Sequence, residues 1–168
     1  MTAPDLSPLA AHPAFLLGQL GSHSASRFGE LLAPLGIKPQ HHGMLRILQA
    51  NDGQSQQQLC EALGIHRNVM VGLVDDLEKR GLVERRRHPA DRRAHAVHLL
   101  PAGIELLVES ARIATELDAE LLAPLAESER AVLVALLQRA AVGNGLTPGI
   151  HPGLTVDRPA AENCDTGH

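Results

Sequence analysis

Between Gln56 and Gly103 the chain reads as two short helices followed by a basic hairpin, and this order narrows the fold more than any other feature. Ser55 stands where it can cap the first helix, which holds Leu59 and Leu63 and stops at Gly64. The second helix spans about Arg67 to Arg80. Its Met70, Leu73, Val74 and Leu77 make an apolar stripe at helical spacing, and Gly81 ends it. Two helices joined by a short turn containing Gly form a helix-turn-helix. Leu82 to Arg87 then reads as a strand and Ala94 to Leu99 as its partner, with Pro89-Ala90-Asp91-Arg92 as the turn. His95 and His98 make the alternation imperfect. A two-stranded hairpin is marginal alone, so it must pack against the helices.

Charge singles out the same segment. Seven of the 15 Lys and Arg residues fall between Lys79 and Arg93, interrupted only by Glu84 and Asp91, in a chain of formal net charge -4. A local positive field on an acidic chain points to one surface dedicated to a polyanion. Two Phe, no Trp and no Tyr leave a core of Leu, Val, Ile and Ala, which favours helices. The same scarcity argues against single-stranded nucleic-acid binding through stacking platforms.

Around this middle region lie two amphipathic helical stretches. Leu16, Leu20, Phe28, Leu31 and Leu35 recur at helical spacings before Pro34 and Gly36 close the first segment. Met44, Leu45, Ile47 and Leu48 form a short second helix ending near Asn51-Asp52-Gly53. Pro101 fits the first position of a helix carrying Ile104, Leu107, Val108 and Leu117, which Pro124 interrupts; a last helix runs from about Glu127 to Ala141. Residues 1–13 are expected to be a flexible leader, and the Gly- and Pro-containing residues 143–168 a mobile tail. Broad Leu/Ala faces at both chain ends can pack against a second subunit, two-fold closure being the commonest solution, or within one helical bundle.

The second helix of the pair fits the major groove of B-form DNA. Its first turn presents Arg67, which can pair with guanine, and Asn68, which can pair with adenine. Both can also bind phosphate, and the sequence does not separate these roles. His66, at the helix start, can donate to a phosphate, and Val71 can meet a thymine methyl. Solvated surface is the alternative for each. Arg85, Arg86 and Arg87 lie on the first strand, where alternation prevents all three from facing one surface. Arg92 and Arg93, at or just past the hairpin tip, can reach into a narrow minor groove. Asp91 is better read as a brace that supports this tip than as a phosphate contact.

With these residues in view, the chain resembles the MarR family of winged-helix transcription regulators over roughly residues 14 to 142. The run LCEALGIHRNVMVGLVDDLEKRGLVERRRHPADRR carries the resemblance, with Asp91-x-Arg93 followed by Leu99 and Pro101-x-Gly103. The resemblance implies a mainly α fold with a small β hairpin: a winged helix-turn-helix lobe plus N- and C-terminal dimerisation helices. The helix-turn-helix falls at about 55–80, the wing at about 82–99, and the dimerisation helices at about 14–35 and 101–142. It also implies a homodimer on a pseudo-palindromic double-stranded DNA operator. Arg67, Asn68 and Val71 then fall at the start of the recognition helix, Arg93 at the wing tip with Arg92 beside it, and Asp91 as the tip's acidic support. The chain departs from the family pattern in Asn68-Val69-Met70-Val71-Gly72, where Ser, Thr and Arg are common, and in Leu100, where a capping Thr or Ser is usual.

Family members commonly release DNA when a small anionic or aromatic compound binds between the dimer helices and the DNA-binding lobe. By resemblance, His23, Arg27, His41, His42 and Met44 are the effector-pocket candidates, and each histidine can equally be a surface or structural residue. No HExxH or paired-Cys motif is present, so no metal is expected despite ten histidines. Cys60 is expected to be a small buried hydrophobe and Cys164 lies in the tail, so a thiol switch is not expected. No P-loop or dinucleotide fingerprint is present; no cofactor and no enzymatic activity are expected. No apolar run approaches a membrane span, and the chain is expected to be cytoplasmic. The functional expectation is a sequence-specific DNA-binding repressor released by an effector. The alternative is a winged-helix interaction or architectural module without ligand control.

Overall fold

The computed structural model describes residues 9–87, 95–146 and 149. Its elements run α1 (Pro13–Leu32), α2 (Pro39–Ala50), β1 (Gln54–Ser55), α3 (Gln56–Leu63), α4 (Arg67–Lys79), β2 (Val83–Arg87), β3 (His95–Leu99), α5 (Pro101–Leu121) and α6 (Glu127–Gly143). Helices α1, α2 and α5 each open on a proline. A first-turn N–H has no intrahelical acceptor, so proline loses nothing there. For this reason α2 starts at Pro39, well before the Met44–Leu48 stripe that marked it in the sequence.

The helix-turn-helix forms where its caps place it. Ser55 Oγ accepts the Gln58 N–H at 3.2 Å, while Gln58 Oε1 accepts the Ser55 N–H at 2.8 Å. This reciprocal pair satisfies two groups at the start of α3. At its end Gly64 takes φ +64°, a left-handed conformation that other residues adopt only with strain, and the chain turns into α4.

The expected two-stranded hairpin is in fact part of a three-stranded antiparallel sheet in the order β1-β3-β2. β1 pairs Gln54 with Val97 and Ser55 with Ala96, while β2 pairs Val83 with Leu99 through to Arg87 with His95. Two residues carry no strand periodicity, so β1 was invisible in the sequence. A tertiary contact places it: Asp52 accepts the Leu99 N–H at 2.8 Å and faces His98 Nδ1 at 2.8 Å. Net hydrogen bonding holds the Asp52 carboxyl below the usual carboxylate range, although its partial burial acts the other way. β3 is thus the central strand, with Ala96 and Val97 both buried.

Two apolar clusters organise the molecule. The larger joins α2, α3, α4 and the sheet through fully buried Met44, Leu45, Leu48, Leu59, Met70 and Leu77. Each such side chain contributes about 1.5–3 kcal/mol when removed from water. The smaller joins α1 and α5 through Leu32, Ile37 and Ile113. By contrast α6 buries no residue against the rest of this chain. Residues Asp91, Arg92 and Arg93, the first eight residues, and the tail beyond Leu146 apart from Gly149 lie outside the described residues.

Candidate nucleic-acid interface

Helix α4 is locked on one side and open on the other. Met70, Leu73, Val74 and Leu77 are buried in the lobe core. His66, Arg67, Asn68, Val71 and Gly72 are exposed. His66 precedes the helix in extended conformation and makes no side-chain cap bond. The helical period puts Asn68, Val71, Gly72 and Asp75 on one face. A Cβ added at Gly72 meets nothing within 4 Å. Packing within this chain therefore does not demand a glycine that costs about 1 kcal/mol of helix propensity against Ala.

The basic strand beside α4 is less open than its sequence suggests. Arg85 Nη1 donates to Glu78 Oε2 at 2.5 Å and Nη2 to Asp75 Oδ1 at 2.5 Å, while the Arg85 backbone N–H donates to Glu78 Oε1 at 2.8 Å. With its amide oxygen turned toward the guanidinium, Gln56 accepts from Nε and Nη2 at 3.0 Å each. Burial works against the Arg85 charge, but the hydrogen bonds to Asp75 and Glu78 outweigh it and raise the pKa. The Arg85 guanidinium is held between α4 and α3. Arg86 pairs with Glu84, and Arg87 is exposed at the end of β2.

The C-terminal half of α4 is tied to the α1–α2 corner. Arg80 donates from Nη1 to Gly36 O at 2.7 Å and from Nη2 to Leu35 O at 2.9 Å. Buried His41 accepts the Lys38 N–H at Nδ1, 3.1 Å, and turns Nε2 toward Asp76 Oδ2 at 3.5 Å. The Nδ1 bond places the neutral ring's proton on Nε2, facing the carboxylate. Desolvation lowers the His41 pKa, with Arg80 and Lys38 acting alongside it and Asp76 opposing.

The neighbouring His42 faces the other way. Its Nδ1 is 2.8 Å from Ser110 Oγ on α5, and its ring meets Phe28 of α1 edge-on, with centroids 5.4 Å apart. Ser110 Oγ donates to Leu107 O at 3.1 Å, so Nδ1–H is the donor toward Ser110. Desolvation, then Arg46, lowers the His42 pKa. Consecutive residues of α2 thereby link α4 on one side with α1 and α5 on the other. Arg27 bridges α1 to α5 through Glu120 at 3.3 Å and pairs with Glu30 of its own helix at 3.2 Å, and His23 is exposed on α1. Met44 is fully buried in the lobe core. Among the described residues no three His, Cys, Asp or Glu side chains are grouped to hold a metal ion, and no helix is long and apolar enough to cross a membrane.

The family model for MarR matches residues 35–94, from the α1–α2 corner through the lobe. The proposed transcriptional regulatory protein for the hcr operon of Thauera aromatica is 34% identical over 113 residues, 67% of this chain and 68% of that protein. The chain belongs to the MarR family. Among solved structures it resembles the transcriptional repressor CouR bound to a 23-mer DNA duplex, with TM-score 0.73 and 29% identity over 83% of this chain and 99% of CouR. It also superposes on apo MarR from E. coli, with TM-score 0.70 and 23% identity over 77% of this chain and 96% of that one. This is a MarR-family winged helix-turn-helix transcription regulator, with α3 and α4 as its helix-turn-helix and β2 and β3 as the base of its wing.

Several structural residues of this regulator escaped the sequence reading. Asp52, Ser110 and the carbonyls of Leu35 and Gly36 act on partners between 44 and 68 residues away. No local spacing announces such pairs. Asp75 and Glu78 left a usable signal: two acids one turn apart on a helix that precedes a run of three arginines.

Proposed function

We propose that this regulator is a homodimeric repressor that binds a pseudo-palindromic operator and leaves it when a small anionic or aromatic effector binds. The observation that carries the proposal is the open face of α4, with Arg67, Asn68 and Val71 exposed on a helix whose opposite side is sealed into the lobe. Arg67 and Asn68 read base edges, Val71 contacts a thymine methyl, and His66 holds a phosphate. Arg86 and Arg87 lie along the backbone. By family resemblance Arg92 and Arg93 reach the minor groove with Asp91 as their support.

The second subunit covers the apolar side chains that α1, α5 and α6 leave exposed, including Leu20, Val108, Val132 and Leu136. The effector site lies between these helices and the lobe, near His23, Arg27, His41 and His42, because this is where α2 joins the two bodies. An unbiased duplex selection, followed by titration against competitor DNA, tests the reading. A recovered palindrome bound far more tightly than scrambled duplex is expected; equal affinity for every duplex overturns sequence-specific repression. Phenolic acids, together with the p-coumaroyl-CoA to which the similar CouR from Rhodococcus jostii is bound, then serve as effector probes. Compounds that stabilise the protein without changing operator affinity would overturn the release step.

A further inference from the structure

We infer that Arg85 serves DNA recognition as an internal counter-ion, cancelling the acidic charge of α4 rather than contacting phosphate. The inference rests on the DNA-binding reading above.

Every nitrogen of this guanidinium has a partner within the lobe. Nη1 faces Glu78, Nη2 faces Asp75, and Nε faces the Gln56 amide oxygen. With the Gln56 amide oxygen turned inward, these partners engage both Nη2 N–H groups, the Nε N–H and one Nη1 N–H, so no paired fork is left to grip a phosphate. Its side chain is 20% exposed, whereas that of Asp75 is 46% exposed. The carboxylate, not the cation, is therefore the more open member of the pair.

The place of Asp75 makes this matter. It shares a face with Asn68, Val71 and Gly72, about 10 Å along the axis from Asn68. A helix reading the groove through its first turns carries Asp75 toward DNA that bears one negative charge per about 1.7 Å of axis. A bare carboxylate there repels every duplex alike. Arg85 reaches it from the adjacent strand, and Glu78 completes the grip one helical turn further on. The cluster carries one residual negative charge; without the guanidinium it carries two.

The test compares wild type, Arg85→Gln, and Arg85→Gln combined with Asp75→Asn and Glu78→Gln, on the selected operator and a scrambled duplex across several salt concentrations. Arg85→Gln is expected to weaken binding to both duplexes by about tenfold or more, as close uncompensated charges do. The triple variant is expected to return to within about threefold of wild type, the signature of coupled rather than additive substitutions. Its salt slope should match the wild type. A triple variant as weak as Arg85→Gln, with a slope shallower by about one unit, makes Arg85 a phosphate contact and overturns the inference. A triple variant that stays weak at unchanged slope reduces Arg85 to a purely structural pin, and also overturns it. So does an Arg85→Gln variant with wild-type affinity.

If Arg85→Gln does not fold, Asp75→Asn with Glu78→Gln and Arg85 retained decides. Tighter binding to both duplexes, with a slope steeper by about one unit, supports the counter-ion; unchanged affinity and slope reject it. Arg67→Ala, run in parallel, separates this question from the underlying one. If it too leaves operator affinity untouched, the DNA-binding face itself has been misplaced.

Discussion

Gly103 runs directly beneath the carbonyl of Leu82. A Cβ on Gly103 would overlap the Leu82 oxygen and stand 2.7 Å from Leu99 Cδ1. The same oxygen accepts the Leu100 N–H at 3.0 Å, so it cannot move aside freely. This close approach fastens α5 to the base of the wing and explains the glycine of Pro101-x-Gly103. Gly103→Ala is expected to destabilise the fold by about 1–3 kcal/mol, the range for overpacking a filled site. Denaturant unfolding checks this, and a wild-type midpoint would show that the contact yields.

Leu100 occupies the N-cap of α5 in extended conformation and makes no side-chain cap bond. Leu100→Thr supplies the missing acceptor and should raise stability by about 0.5–2 kcal/mol. Operator preference should stay the same, since the residue lies at the far end of the wing from its tip. An unchanged or lower melting temperature would mean that apolar contacts of the leucine outweigh the cap.

Lowered histidine pKa values make stability depend on pH. Burial holds His42 neutral in the fold, with Arg46 adding to the effect, while the unfolded chain titrates in the ordinary histidine range. Below that range the unfolded state binds more protons, so the stabilisation present above it is lost as pH falls toward the depressed folded pKa. His41 acts in the same direction. The melting temperature should fall between about pH 7.5 and about pH 5.5, and His42→Asn should flatten part of that fall. An identical pH profile in the variant would remove His42 from the account.

Asn68→Ala should relax base preference at one symmetry-related position in each half-site, with a loss of about 1–3 kcal/mol of discrimination. Phosphate affinity and salt slope should change little. Competition titrations on single-base operator variants check this. Uniform weakening across all of them would reassign Asn68 to the backbone.

Helix α6 has no fully buried residue within its own chain, and Val132 and Leu136 are among its exposed apolar residues. Sedimentation is expected to find a species of twice the 17.9 kDa chain mass. Val132→Glu with Leu136→Glu should yield monomers that keep their helical content and lose operator binding. A wild-type monomer at every concentration would remove the dimer on which the palindromic reading depends.

The sequence by itself determined the elements whose causes are local. Apolar spacing marks α4, Ser55 and Gly64 bound α3, and Pro101 opens α5, because capping and periodicity act within a few residues. The run from Leu59 to Arg93 and the Pro101-x-Gly103 signature also suffice to recognise the family. Tertiary structure alone decided what each charged side chain does. Arg85, Arg86 and Arg87 are chemically alike in sequence, yet Arg85 is occupied by Asp75 and Glu78, Arg86 pairs with Glu84, and Arg87 is exposed. His41 and His42 are neighbours in sequence and turn to opposite sides of α2. β1 forms by pairing with the distant β3, beside which Asp52 accepts the Leu99 N–H and faces His98. Such roles depend on which partner arrives from a distant segment, and that is settled only when the core closes and fixes the helices against the sheet.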